Sequence, residues 1–255
     1  MRSIRLSSGF DIRFQDLAGD GPPLVFIHGL GCASSCDFVA VARTPALRSR
    51  RMLLVDLPGY GFSDKPGAFA YGVEAHATAV CDLLDRLGLG PVDLFGHSMG
   101  GSVAITVAAR RPALLRRLVV AEPNMEPGGG VFSRAIAART ERDYLDGGHA
   151  AEIRAAVASG EAAWAGSMAV ALPLAVYRDA VSLVQGSDPS WRAHLQGLVG
   201  IPATVIFGER SLPDVDHERL PAAGIAVGVV ARAGHSMAID NPDGLAALVA
   251  LACGA

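Results

Sequence analysis

The chain has 255 residues, of which 51% are hydrophobic and 18% charged, and its formal net charge is −3. This length suits one large α/β domain or a core with an inserted segment, and the apolar content excludes intrinsic disorder. The slight acidity gives no basis for a nucleic-acid partner or an anionic membrane surface, and no apolar stretch reaches spanning length.

In chain order, residues 3–16 alternate apolar and polar around Ser8-Gly9, which predicts an antiparallel hairpin at a sheet edge. Leu24-Val25-Phe26-Ile27 and Met52-Leu53-Leu54-Val55 are short, continuous apolar runs of the kind that form strands buried on both faces. Residues 71–87 carry Val80, Leu83, Leu84 and Leu87 at helical spacing, with Gly88 as the stop. Pro91-Val92-Asp93-Leu94-Phe95 predicts a further strand, followed by Gly96-His97-Ser98-Met99-Gly100 and a small-residue helix. Leu118 to Ala121 is another buried strand. From Pro123 to about Gly200 the strand–helix rhythm breaks, and residues 132–184 read as several Ala-rich helices. Residues 203–207 and 225–230 return to strands, and a helix over 242–251 closes the chain. The alternation implies a doubly wound, mostly parallel α/β sheet, whose functional groups gather at the carboxyl ends of its strands.

Gly-x-Ser-x-Gly between a strand and a helix is the nucleophile elbow of serine hydrolases. Its glycines are needed because the turn strains the serine backbone and a Cβ on either side would clash with the neighbouring strand and helix. Ser98 is therefore the candidate nucleophile, and the amide of Met99 faces the same space. The cysteines Cys32, Cys36, Cys81 and Cys253 are scattered, and the N-terminus lacks the apolar core of a signal peptide. A cytoplasmic protein with reduced thiols is expected, as a monomer or homodimer and without metal or cofactor, since no histidine cluster completes a ligand set.

Four segments stand in a telling order: His28-Gly29-Leu30-Gly31, Asp56-Leu57-Pro58-Gly59-Tyr60-Gly61-Phe62-Ser63-Asp64, the elbow with Gly101, and Gly234-His235. On these the chain resembles the α/β-hydrolase fold over essentially its whole length. The resemblance implies an eight-stranded sheet, a core of residues 1–122 and 201–255, and a helical lid inserted at 123–200. It makes His235 the general base and places the second oxyanion amide on Leu30, beside that of Met99. It assigns His97 to shaping the site, the His28 ring and the 56–64 loop to scaffold, and leaves His76, His149, His194 and His217 incidental.

The triad acid is the open position. The family usually has Gly-x-x-Asp after the strand that ends here at Phe207, but this chain reads Gly208-Glu209-Arg210-Ser211. Glu122, at the end of the preceding core strand, is favoured, because an imidazolium would offset the cost of burying a carboxylate there. Asp214 and Glu209 are the alternatives.

The expected reaction is cleavage of an ester, thioester or related acyl bond of a small-to-medium apolar substrate through an acyl-enzyme. Met125, Phe132, Trp164 and Met168, with Tyr144 and Tyr177, are candidate walls of the substrate pocket. Serine at the elbow argues against the aspartate-dependent dehalogenases and epoxide hydrolases of the fold. A lid without lysine argues against its hydroxynitrile lyases. Carbon–carbon bond hydrolysis, acyl transfer and non-catalytic ligand binding remain as alternatives.

Overall fold

The computed structural model describes residues 1–254. Eight strands form one sheet: β1 (Arg2–Arg5), β2 (Asp11–Leu17), β3 (Asp20–Ile27), β4 (Arg50–Asp56), β5 (Val92–His97), β6 (Leu115–Ala121), β7 (Ala203–Gly208) and β8 (Ala226–Val230). Their order is β1-β2-β4-β3-β5-β6-β7-β8. The β1–β2 hairpin and the β2–β4 pair are antiparallel, and every later pairing is parallel. This is the mostly parallel α/β architecture expected from the pattern of runs.

The continuous apolar runs arise because each central strand divides its side chains between two cores. Val25, Ile27, Leu94, Leu118, Val120 and Val205 point into one; Leu24, Phe26, Phe95, Val119 and Ile206 point into the other. With both faces covered by helices, no position is left for the polar alternation of a half-exposed strand.

Counting helices of six residues or more, α1 (Val73–Leu87) and α2 (Met99–Arg110) cover the first face, and α9 (Pro242–Ala252) covers the second. Gly88 ends α1 in the left-handed conformation, φ 57°, where a glycine carries no Cβ penalty. Between β6 and β7 the chain has no strand. It runs through α3 (Val131–Ala137), α4 (His149–Ala158), α5 (Ala162–Val170), α6 (Pro173–Gln185) and α7 (Trp191–Gln196). Helix α8 (Val215–Ala222) follows β7. No single helix among the described residues is long and apolar enough to cross a membrane.

One buried carboxylate gathers several of the ties between the helical excursion and the core. Asp179 on α6 is wholly buried, and it accepts from the Tyr60 hydroxyl, the Gly72 N–H and Nε2–H of His76, the last at 2.9 Å. His76 thus has a structural task that its place in the sequence did not show. Asp179→Ala leaves three buried donors without an acceptor, at an expected cost of about 3 kcal/mol or more. For a chain of this size that is about 10 °C in thermal midpoint. A midpoint within about 2 °C of the parent would show that the excursion is held elsewhere.

Candidate active site

Strand register brings the site together. His97 pairs with Ala121 and Ala121 with Ile206, so the residues after β5 and β6, Ser98 and Glu122, emerge side by side. Both turn under strain: Ser98 has φ 53° and Glu122 φ 41°, in the region that favours glycine. Ser98 N–H donates to Ala121 O and Glu122 N–H to Ile206 O, which holds these turns at the sheet edge.

The flanking glycines answer to close approaches. A Cβ on Gly96 would lie 2.2 Å from Gly100 O, and one on Gly100 2.4 Å from both Ile27 O and His28 O. A Cβ on Gly101 would meet Pro123 at 2.7 Å, so the root of the helical excursion lies flat on α2. Ser102 Oγ donates to Asn124 O at 3.0 Å and ties the same joint.

His235 stands in the loop after β8. Its Nδ1–H donates to Glu122 Oε2 at 2.6 Å, and Gly208 N–H donates to Glu122 Oε1 at 2.8 Å. Burial alone would raise the pKa of this carboxylate, but hydrogen bonds from His235, the neighbouring Ser211 hydroxyl and Gly208 hold it at about 2. Glu122 is therefore charged across the physiological range. The other two acid candidates are engaged elsewhere: Glu209 accepts from Arg232 N–H at 2.6 Å, and Asp214 caps α8 by accepting from Asp216 N–H at 2.7 Å.

The bond through Nδ1 leaves Nε2 as the free nitrogen of His235. Ser98 and His235 line one cavity of about 970 Å³, although among the described residues no hydrogen bond joins them. His97 Nε2–H donates to His235 O at 2.9 Å and so braces the histidine loop. Desolvation, with the His235 ring nearby, pushes the pKa of His97 down to about 3 and keeps it neutral. Met99 opens α2, where its N–H has no intrahelical acceptor. Among the described residues Leu30 N–H has no protein acceptor either. Gly29 presses the loop carrying Leu30 against the elbow: a Cβ there would lie 3.2 Å from both Ser98 Cβ and His97 Nδ1.

Leu30, His97, Met125, Phe132 and Trp164 all line the cavity. Met168 does not; it is wholly buried, at the position where a Cβ on Gly31 would meet its Sδ at 2.4 Å. Tyr144 is also wholly buried and pairs with His149, so that histidine is structural, not incidental. The 56–64 loop is scaffold, as expected: the Asp56 carboxylate accepts from Ser35 N–H, Ser35 Oγ and Phe62 N–H. Sequence reading gave no role to Ser211 or Asn124, whose value depends on contacts between strand ends.

The His28 ring ties the loop after β3 to the residue after β4. Its Nδ1–H donates to Gly29 O at 2.8 Å, and Nε2 accepts from Leu57 N–H at 3.0 Å, so both nitrogens are engaged in the neutral form. Desolvation lowers its pKa to about 4. Between about pH 6.5 and about pH 4 the unfolded chain binds this proton and the folded chain does not, so stability falls as pH drops through that window. The low pKa of His97 acts in the same direction. Urea midpoints measured from pH 7 to pH 4 should decline steadily. A flat profile would mean that neither ring is held neutral by the fold.

Comparison with known proteins agrees with this architecture. The family model described as alpha/beta hydrolase fold matches residues 22–172. Lipase LipV of Mycobacterium tuberculosis is 34% identical over 194 residues, covering 76% of this chain and 68% of that protein. The 2-hydroxy-6-oxo-2,4-heptadienoate hydrolase of Pseudomonas putida is 36% identical over 116 residues, covering 45% of this chain and 42% of that one. The matches thus span less than half the length of the Pseudomonas relatives. A thermophilic esterase from Thermogutta terrifontis superposes with a TM-score of 0.76 at 21% identity, over 98% of this chain and 97% of that one, which speaks for the fold alone. With the elbow, the parallel sheet and the family match in agreement, the chain belongs to the α/β-hydrolase-fold family.

Proposed function

We propose that the protein is a serine hydrolase that cleaves an ester, thioester or related acyl bond through an acyl-enzyme. The observation that carries this reading is the Glu122–His235 bond at Nδ1, set beside a strained serine on the wall of the same cavity. Ser98 Oγ attacks the acyl carbon while Nε2 of His235 takes its proton, and Glu122 fixes the tautomer and stabilises the imidazolium. The N–H groups of Leu30 and Met99 hold the tetrahedral oxyanion, each contributing about 3 kcal/mol. As the intermediate collapses, Nε2–H protonates the leaving alkoxide or thiolate. Water, deprotonated by Nε2, then attacks the acyl carbon, and Nε2–H returns the proton to Ser98 Oγ as its bond to that carbon breaks and the acid is released.

Residues 123–200 serve as the lid over this cavity, on a core formed by 1–122 and 201–255. Met125, Phe132, Trp164, Leu183 and Phe207 give the cavity an apolar wall suited to a small or medium acyl group. A substrate bearing a free carboxylate, such as the dienoate in the Pseudomonas relative's name, would need a cation to receive it. Arg210 is the one arginine or lysine among the lining residues, and it already lies 3.9 Å from Asp240. The charge of the wall therefore favours a neutral acyl ester over that class.

A fluorophosphonate probe tests the reading directly. The expected result is a single labelled peptide carrying the adduct on Ser98, together with turnover of p-nitrophenyl esters or acyl-thioesters of graded length. A folded protein that neither takes the label nor turns over any of these substrates would be a ligand-binding member of the fold.

A further inference from the structure

The carboxylates on the cavity wall outnumber its cations, and one of them is left without a counter-charge. Asp37, Glu122, Glu161, Asp214, Asp216 and Asp240 line the cavity, with Arg210 as the one arginine or lysine. Most of these acids are engaged. Glu122 bonds to His235, Asp216 pairs with Arg192, Asp240 lies 3.9 Å from Arg210, and Asp214 caps α8. Glu161 is exposed at the N-cap of α5 and keeps its hydration. Asp37 is half-buried, and no arginine or lysine among the described residues pairs with it.

Local structure gives this carboxylate no reason to be there. Asp37 closes the one-turn helix Ser34–Asp37, where a negative charge gains nothing from the peptide dipoles. That helix follows the loop of Leu30, and Leu30, Cys32, Asp37 and Phe38 together contribute one stretch of the cavity wall. The polar groups around it are neutral or negative. Burial pushes the Asp37 carboxyl up to about 6, against the pull of the Cys32 thiol, the Ala33 N–H and the Ser167 hydroxyl, and the Asp56 carboxylate adds to the rise. At neutral pH and above, Asp37 is therefore a charge that its surroundings solvate poorly. Its desolvation is already incurred in the folded protein, so a cation arriving through the cavity meets an acceptor that is prepared for it.

We propose that Asp37 is a specificity-determining residue that receives an ammonium group of the substrate, so that the favoured substrate is an acyl ester or thioester whose apolar body carries a protonated amine. The proposal rests on the acyl-bond cleavage proposed above and names its substrate class: Ser98 cleaves, and Asp37 selects what is cleaved. The apolar wall of Met125, Phe132, Trp164 and Leu183 covers the body of such a molecule, and Asp37 supplies the counter-charge for its amine.

Paired esters test it at slightly alkaline pH, where Asp37 is charged and the amine protonated. Butyl esters of ω-dimethylamino acids carry the ammonium on the acyl side, and ω-dimethylaminoalkyl butyrates carry it on the alcohol side. Each is compared, over a series of chain lengths, with the neutral isostere in which isopropyl replaces dimethylammonium. In one of the two series the parent should favour the ammonium ester by about tenfold or more in kcat/KM at the best length, chiefly through KM. Asp37→Asn and Asp37→Ser both remove the charge, and the first keeps an oxygen for the Ser167 hydroxyl. Either should bring the preference to within about twofold of unity and leave turnover of the neutral isosteres within about twofold of the parent. Glu161→Gln, which removes an exposed charge from the same wall, should keep the preference. No preference for the ammonium in either series, or one that survives both Asp37 variants, would overturn the proposal. An equal loss on charged and neutral esters would make Asp37 a tie to α5 alone and overturn it as well. A parent inert towards both members of every pair would instead remove the function on which the proposal rests, and the proposal with it.

Discussion

Replacing Ser98 with alanine is expected to lower kcat by about a million-fold and to abolish fluorophosphonate labelling, while the fold survives. The side chain is a single hydroxyl facing a cavity, so removing it opens no core void. The backbone gives this prediction a second readout. At φ 53° and ψ −121° position 98 is strained for any residue with a Cβ, alanine included, but not for glycine. Ser98→Gly should therefore be as inactive as Ser98→Ala and more stable than the parent by about 1 kcal/mol or more. That gain corresponds to about 3 °C in thermal midpoint. A glycine variant less stable than the alanine variant would mean that the elbow is not held under strain. Residual turnover in both variants above a hundredth of the parent rate would move the nucleophile elsewhere.

Glu122→Gln should lower kcat by about ten thousand-fold with little change in unfolding midpoint. The amide keeps the volume and can still accept from Gly208 N–H, so the strand end is preserved. It no longer carries the charge that stabilises an imidazolium at His235, and its nitrogen competes to donate where Nδ1–H must donate. Asp214→Asn, by contrast, should leave kcat within about twofold, because that carboxylate caps α8 and does not touch His235. Ser211 lies beside Glu122, at the place where relatives with the usual Gly-x-x-Asp carry their acid. Adding Ser211→Asp to Glu122→Gln should therefore recover part of the lost rate by supplying the charge from β7 instead of β6. A Glu122→Gln enzyme with parental kcat would remove this residue from the triad.

The central strands were legible because burial on both faces writes itself as unbroken apolar runs, as in Leu24–Ile27, and the elbow because its glycines respond to contacts within a few residues. The acid was harder to place. Glu122, Asp214 and Glu209 are each one carboxylate near a strand end, and only the parallel register of β6 with β7 decides which meets His235. The helical excursion was legible as helices and opaque as contacts. Its Ala-rich sequence does not reveal which face is buried, so Met168 reads as pocket wall when it is packed against Gly31. His76 reads as incidental because Asp179, the group that engages it, lies 103 residues further along the chain. Such pairings are properties of the tertiary structure, and no local pattern announces them.

The joint at residues 122–124 also bears on engineering. Glu122, proposed here to orient the base, stands immediately before Pro123 and Asn124, which are packed on Gly101 and tied to Ser102. Chimeras that exchange the helical excursion should begin their graft beyond Asn124, so that this first splice does not displace Glu122. The returning splice is more forgiving, because the segment before β7 carries Gly197 and Gly200 and an outward-facing Val199, with no partner in the reacting array. Exchange of the helical excursion is thus asymmetric: the end before β7 tolerates redrawing, and the end after β6 must be inherited whole.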